Sequence, residues 1–226
     1  MKPKFYIYIS DAKIDMLLPQ VPHDLKKKVA IEFKLSLKVF EVGRKSESES
    51  DDSRVARLQS VVEYLRSESQ MGSVDQPSVY IQGELPMKWG PYVLLMPNFQ
   101  SSDPDANRAR MPTDFVFFGG ATEKTFCGLV GSAHHLAGSV ASKGGVEEYG
   151  GSAMPTAMYY LNQLEFTKDA PQSGQILDYL GGVIDRLSGP SQRLEFMAKR
   201  LLEGETKSGP RTHCLIASPL YVALAE

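Results

Sequence analysis

Two adjacent histidines, His134 and His135, are the side chains of this 226-residue sequence that are best suited to acid–base chemistry. The ordinary pKa of histidine lies near neutrality, so an imidazole can act as a general acid or base in hydrolysis. Adjacent side chains point to opposite faces of a strand and diverge by about 100° on a helix. We therefore expect at most one imidazole to face a site, and we expect no joint action on one substrate atom.

A glycine-rich stretch surrounds these histidines, because nine of the chain's 19 glycines lie between 119 and 151. Glycine lets the backbone approach a ligand closely, and successive exposed amides can bind an anion. The predicted ligand-binding residues are glycines of this stretch with nearby hydroxyls and one cation: Gly119, Gly120, Gly131, Ser132, Ser139, Ser142 and Lys143. A structural interpretation stays open, with a tight hairpin near 119–124 and a strand-to-helix turn near 131–133.

Complete motifs for known chemistries are missing from the sequence. The stretch lacks the phosphate loop, the dinucleotide-binding fingerprint and the nucleophile elbow. The two cysteines, Cys127 and Cys214, can form neither a disulfide framework nor a four-thiolate zinc site, and no His-Glu-x-x-His pattern occurs. We therefore predict no metal and no cofactor.

A second polar group follows the first predicted strand and comprises Ser10, Asp11, Lys13 and Asp15. The two carboxylates would share one face of a helix and could hold a hard cation. The alternative interpretation is that Ser10 or Asp11 caps a short helix that ends at Pro19.

The overall charge argues against a general nucleic-acid binder. Lys plus Arg number 25 and Asp plus Glu number 27, which leaves a formal net charge of −2, whereas such binders carry excess cations. A local basic patch from 26–28, Arg108 and Arg110 keeps RNA binding as a third, lesser hypothesis. The sequence has no apolar stretch of membrane-spanning length and no signal-peptide pattern. We expect a soluble, cytoplasmic protein without membrane association.

Hydrophobic patterning predicts the elements that must position these residues. Aromatic and β-branched residues predict a strand at 4–9, and strict alternation of apolar and polar residues from Ile31 to Val39 predicts another at 31–39. Apolar residues at helical spacing predict an amphipathic helix at 53–68. Shorter strands are predicted at 78–85, 92–96, 114–118 and 125–130.

The C-terminal third is predicted to be mainly helical. Helices are expected at 154–164, at 176–187 and from Pro190 to Gly204, followed by one or two strands at 213–225 interrupted at Pro219. The predicted class is α+β, with a mostly antiparallel sheet and helices packed mainly on one side. We expect a single domain over 1–226, composed of a β-rich part (1–131), a helix-rich part (132–204) and C-terminal strands (212–225).

Five segments carry a resemblance to a known family. They are Phe-Tyr-Ile-Tyr-Ile-Ser-Asp-Ala-Lys-Ile-Asp-Met-Leu at 5–17, Gly-Gly-Ala-Thr-Glu-Lys-Thr at 119–125, Gly-Leu-Val-Gly-Ser-Ala-His-His at 128–135, Gly-Pro-Ser-Gln-Arg-Leu-Glu-Phe-Met-Ala-Lys-Arg-Leu-Leu at 189–202, and Ser-Pro-Leu-Tyr-Val-Ala-Leu at 218–224. Through them, nearly the whole chain resembles an uncharacterised family of small bacterial proteins. The resemblance implies a setting beside caspase-like (CHAT) protease genes in bacterial conflict loci, including type III CRISPR loci. It implies no catalytic residue.

Two hypotheses for the function follow. The first is a non-enzymatic accessory or regulatory protein of an antiviral defence locus, which binds a partner protein from the same locus or a small anionic ligand such as a nucleotide. The alternative is a small phosphodiester hydrolase acting on a nucleotide signal. In that enzyme His134 or His135 would be the general acid or base, while Ser132 and Lys143 would hold the phosphate.

Overall fold

The computed structural model describes residues 4–40, 49–68, 71–91, 115–137, 190–205 and 213–225. The strands are β1 (Tyr6–Ile9), β2 (Met71–Gly72), β3 (Tyr80–Pro91), β4 (Phe115–Ala121), β5 (Thr125–Ser132), β6 (Gln192–Glu205) and β7 (His213–Leu224). The helices are α1 (Asp11–Leu17), α2 (His23–Phe40) and α3 (Glu49–Ser67), with short 3₁₀ turns at Leu18–Gln20 and Ala133–His135. The segments predicted at 92–96, 154–164 and 176–187 lie outside the described residues.

Five of these strands close into a barrel in the order β3, β4, β5, β7 and β6, with β6 returning to β3. Only the β5–β7 contact of this ring is parallel, and the other four are antiparallel. Closure pairs each of the five strands on both sides, which removes the open edges of a flat sheet.

The first strand, β1, joins the barrel at the second half of β7. The first half of β7 pairs with β5 as far as Ala217, and β1 then takes the place of β5, with Tyr6 opposite Ala223. On its other side β1 meets the chain that leaves β5, where the Ala137 amide donates to the Ile7 carbonyl at 2.7 Å. The residues after β1 and the residues after β5 therefore lie side by side.

Two hydrophobic clusters share the strand β6. Every barrel strand contributes side chains to the first cluster, in which Phe196 is fully buried. The second cluster lies between the outer face of the barrel and the helices, and it includes Met197, Ile14 of α1 and Leu58 of α3. Consecutive residues of β6 enter different clusters because strand side chains alternate between faces.

The predicted α+β class is confirmed, but the sheet is closed as a barrel and is not a flat sheet. The predicted strands at 4–9 and 125–130 and the predicted helix at 53–68 are also confirmed. The strand at 31–39 is wrong, because this segment is the second half of α2. A pattern that repeats every second residue also places apolar residues four apart, as Ile31 and Leu35 are, and such pairs share a helical face. Ile31 itself is 59% exposed rather than buried.

The helix predicted from Pro190 to Gly204 is wrong as well, because the segment forms β6. Leu194, Met197 and Leu201 have helical spacing, and the burial of Phe196 and Met197 on opposite faces of the strand breaks the alternation that would distinguish it. The last predicted strand is a single strand, β7, that runs through Pro219. The register between β6 and β7 shifts beside Pro219, which cannot donate a ladder hydrogen bond.

Candidate functional site

The polar residues that follow β1 meet two other parts of the chain. We name the group Ser10, Asp11, Lys13, Arg54 and His135 the Asp11 cluster. The first three come from the end of β1 and from α1, Arg54 comes from α3, and His135 comes from the turn after β5.

The irregular part of β7 positions the start of α1. The Ser10 amide donates to the Leu220 carbonyl at 2.9 Å, and the Ser10 carbonyl accepts the Ile14 amide at 3.1 Å as α1 begins. Ser10 occupies the N-cap position, but its side chain makes no capping hydrogen bond. Instead its Oγ accepts a hydrogen bond from the Lys13 ammonium at 3.3 Å.

Asp11 holds Arg54 in a two-point ion pair. Arg54 Nε donates to Asp11 Oδ1 at 2.8 Å and Nη2 donates to Oδ2 at 2.7 Å, while Nη2 also donates to the Ile9 carbonyl at 2.9 Å. Such bidentate pairs are among the stronger polar contacts in proteins and fix the guanidinium plane. The side chains of Asp11 and Arg54 are 39% and 27% exposed, so a molecule in solution can reach them.

The carboxylates of α1 are therefore occupied by arginines and not arranged around a cation. Asp15 forms an ion pair with Arg57 of α3, one helical turn beyond the Asp11 pair. Within the described residues no group of three His, Cys, Asp or Glu side chains could hold a metal ion. The hard-cation interpretation of Asp11 and Asp15 thus has no geometric support.

Lys13 is a half-buried cation without a carboxylate neighbour in the described part of the chain. Its ammonium donates to Ser10 Oγ and, at 3.0 Å, to the carbonyl of Pro219. Burial lowers the pKa of Lys13 to about 8. Two neutral oxygen atoms solvate the ammonium, and no negative charge from a described residue compensates it.

His135 lies over Asp11 and against Tyr8. Its Nδ1 is 3.6 Å from Asp11 Oδ2, and its ring meets the Tyr8 ring edge-on with centroids 5.8 Å apart. Burial lowers the pKa of His135 and outweighs the opposite effect of Asp11, with Lys13 and Arg54 also lowering it. The imidazole is therefore neutral at pH 7. The other candidate, His134, is exposed.

Tyr8 is buried and packs against the ring of His135. Its hydroxyl is beside the Ser10 side chain and the Ser132 backbone, and burial raises its pKa to about 12. It nevertheless makes no well-formed hydrogen bond to any described residue. A Cβ on Gly131 would lie 2.6 Å from this hydroxyl oxygen, so the absent side chain at Gly131 makes room for Tyr8.

The predicted ligand-binding glycines have structural positions in β4 and β5. Gly119 and Gly120 lie inside the sheet, with β3 paired on one side and β5 on the other. Their backbone groups are used by the ladders, which favours the hairpin interpretation of this stretch. Gly131 is buried against Tyr8, and Ser132 ends β5 immediately before the turn that carries His135. Ser139, Ser142 and Lys143 lie outside the described residues.

Sequence reasoning identified part of the Asp11 cluster and missed its assembly. Ser10, Asp11, Lys13 and His135 were recognised as chemically capable, but in two separate groups. Arg54 was missed, because it lies in the first turns of a helix whose polar residues resemble an ordinary solvated face. No local pattern indicates that Arg54 reaches Asp11.

No helix of the described residues is long and apolar enough to cross a membrane.

Comparisons with known proteins add one finding. Neither the curated proteins nor the solved structures contain a significant match. The sequence model of a family of unknown function, DUF7019, matches residues 4–226. The chain therefore belongs to this family of unknown function, DUF7019.

Proposed function

We propose that this protein is a non-enzymatic accessory or regulatory protein of a bacterial antiviral defence locus, and that it acts by binding a small anionic ligand at the Asp11 cluster. The defence setting is supported by the resemblance of the five segments. Lys13 is the observation that favours an anionic ligand over the other form of the proposal, a partner protein from the same locus. Its charge is partly removed from water without a counter-charge from the described residues.

The cluster has N–H hydrogen-bond donors that no described residue uses and that such a ligand could accept. Lys13 uses two of its three N–H bonds, on Ser10 and Pro219. Arg54 donates through Nε and Nη2, and its Nη1 has no partner among the described residues. A negatively charged oxygen bound at Lys13 would accept its third proton and compensate the ammonium. Two unit charges about 4 Å apart near a protein surface attract each other by roughly 4 kcal/mol.

Inorganic phosphate at pH 7 and constant ionic strength is a suitable first probe. We expect a saturable change in the NMR signals of the His135 ring, because His135 belongs to the cluster. Lys13→Met should abolish the change, while Lys124→Met, which removes an exposed lysine from the turn between β4 and β5, should retain it. The absence of a saturable change, or an equal change in both variants, would reject anion binding at this site.

A second candidate function, a small phosphodiester hydrolase, is favoured by one specific contact. Asp11 Oδ2 lies 3.6 Å from His135 Nδ1, and a carboxylate in this position can orient an imidazole for acid–base work. His134 is exposed and serves as the matched control. Turnover of a cyclic oligonucleotide that is lost in His135→Ala and kept in His134→Ala would support the hydrolase. Unchanged substrate, or full activity of both variants, would exclude it.

A further inference from the structure

The charges within the Asp11 cluster can be counted from its contacts. Arg54 and Asp11 cancel each other in their two-point pair. His135 is neutral at pH 7 because burial lowers its pKa. Lys13 adds one positive charge that no described carboxylate balances. The neighbouring pair of Asp15 and Arg57, which links α1 to α3 beside the cluster, adds no net charge.

We infer that the Asp11 cluster accepts a singly charged oxyanion, the class that includes carboxylates and phosphodiesters, in preference to a doubly charged phosphate monoester. This inference rests on the proposed function and specifies the ligand class. It is carried by the contacts of the two cations: the Lys13 ammonium meets only neutral oxygen atoms among the described residues, whereas Asp11 already neutralises Arg54.

Desolvation decides between the two ligand classes. A second negative charge doubles the attraction to the net positive charge of the cluster, but the cost of removing an ion from water rises with the square of its charge. Asp11, which contacts Arg54 and lies beside His135, also repels the added charge. A monoanion leaves the half-buried cluster neutral, whereas a dianion leaves it with one unbalanced negative charge.

Three small probes test the preference at pH 7 and constant ionic strength: dimethyl phosphate, acetate and methyl phosphate. We expect dimethyl phosphate and acetate, both monoanions, to bind about tenfold more tightly than the mostly dianionic methyl phosphate, as measured by NMR titration of His135. The comparison of the two monoanions shows whether a phosphodiester or a carboxylate is the better ligand.

Two carboxylate variants provide a matched pair. Asp11→Asn removes one negative charge, which raises the net charge of the cluster by one, and it should shift the preference towards methyl phosphate. Asp15→Asn makes the same change of charge at the neighbouring pair with Arg57 and should leave the preference unchanged.

The outcomes separate this inference from the proposed function. Methyl phosphate binding as tightly as dimethyl phosphate or more tightly, in a manner that Lys13→Met abolishes, would overturn the inference and leave anion binding intact. Saturable changes with none of the three probes would overturn the proposed function together with the inference. A preference for monoanions that both carboxylate variants alter equally would assign the selectivity to general surface charge and would also overturn the inference.

Discussion

Replacing Lys13 with methionine should stabilise the protein at pH 7. Burial lowers the pKa of this lysine from 10.5 to about 8. At 1.36 kcal/mol per pKa unit, the charged form costs the folded state about 3 kcal/mol relative to the unfolded chain. Methionine keeps an unbranched side chain but loses the hydrogen bonds to Ser10 and Pro219, each of which contributes about 1 kcal/mol. The expected gain is therefore about 1–2 kcal/mol in the free energy of unfolding.

The same reasoning predicts that the order of stability reverses at high pH. Between the folded pKa of Lys13, about 8, and its ordinary value of 10.5, the unfolded chain holds a proton that the folded chain has released. The stability contributed by this group therefore rises with pH across that window. The wild type should overtake Lys13→Met there, because it then keeps its two hydrogen bonds and no longer buries a charge.

Urea unfolding at pH 7 and near pH 10 measures both effects as the difference between the two proteins. Lys124→Met, at an exposed turn lysine, corrects for the loss of a surface charge. A Lys13→Met protein that is less stable than the wild type by the same amount at both pH values would refute the reasoning. The expected result would instead show that an uncompensated cation is retained at a cost in stability, as functional sites often are.

Three further predictions concern packing and titration. In Gly131→Ala the new Cβ would lie 2.6 Å from the Tyr8 hydroxyl oxygen, so urea unfolding should show a loss of about 2 kcal/mol, and an unchanged midpoint would contradict this. Burial raises the pKa of Glu195, but its hydrogen-bond donors outweigh burial and hold the pKa below 4.5. The stability that Glu195 contributes is thus lost as the pH falls below this value, and Glu195→Gln should flatten the acid side of a stability–pH curve. Burial raises the pKa of Cys127, and Cys214 is also buried, so iodoacetamide should label both thiols in urea and neither in the native protein.

Local patterns in the sequence determined several elements correctly. The helix α3 carries apolar residues at a spacing of three to four, and Leu58, Val62 and Leu65 are buried as that spacing predicts. The strands β1 and β5 are rich in aromatic or apolar residues and are bounded by polar turns. In each case the signal lies within a few residues, so one short segment is sufficient to reveal the structure.

Only the tertiary structure decided the state of α2 and β6. The apolar residues from Ile31 to Val39 follow the strand pattern, whereas the structure continues α2 through them to Phe40. In β6, Phe196 faces the barrel interior and Met197 faces the helices. Two consecutive apolar residues obscure both the strand period of two residues and the helical period of about 3.6 residues. Burial on two faces is a property of what surrounds the strand, and the sequence of the strand does not record it.

The candidate site shows the same division. The sequence alone determined that Ser10, Asp11 and Lys13 follow a strand and that His135 can titrate near neutrality. The strand pairing decided that these residues meet, because β1 replaces β5 beside the second half of β7. Packing of α3 with α1 in the second hydrophobic cluster adds Arg54 to them. The contacts that define the site join residues far apart in the chain. Pairing between distant strands creates those contacts, and distant pairing has no local signature in the sequence.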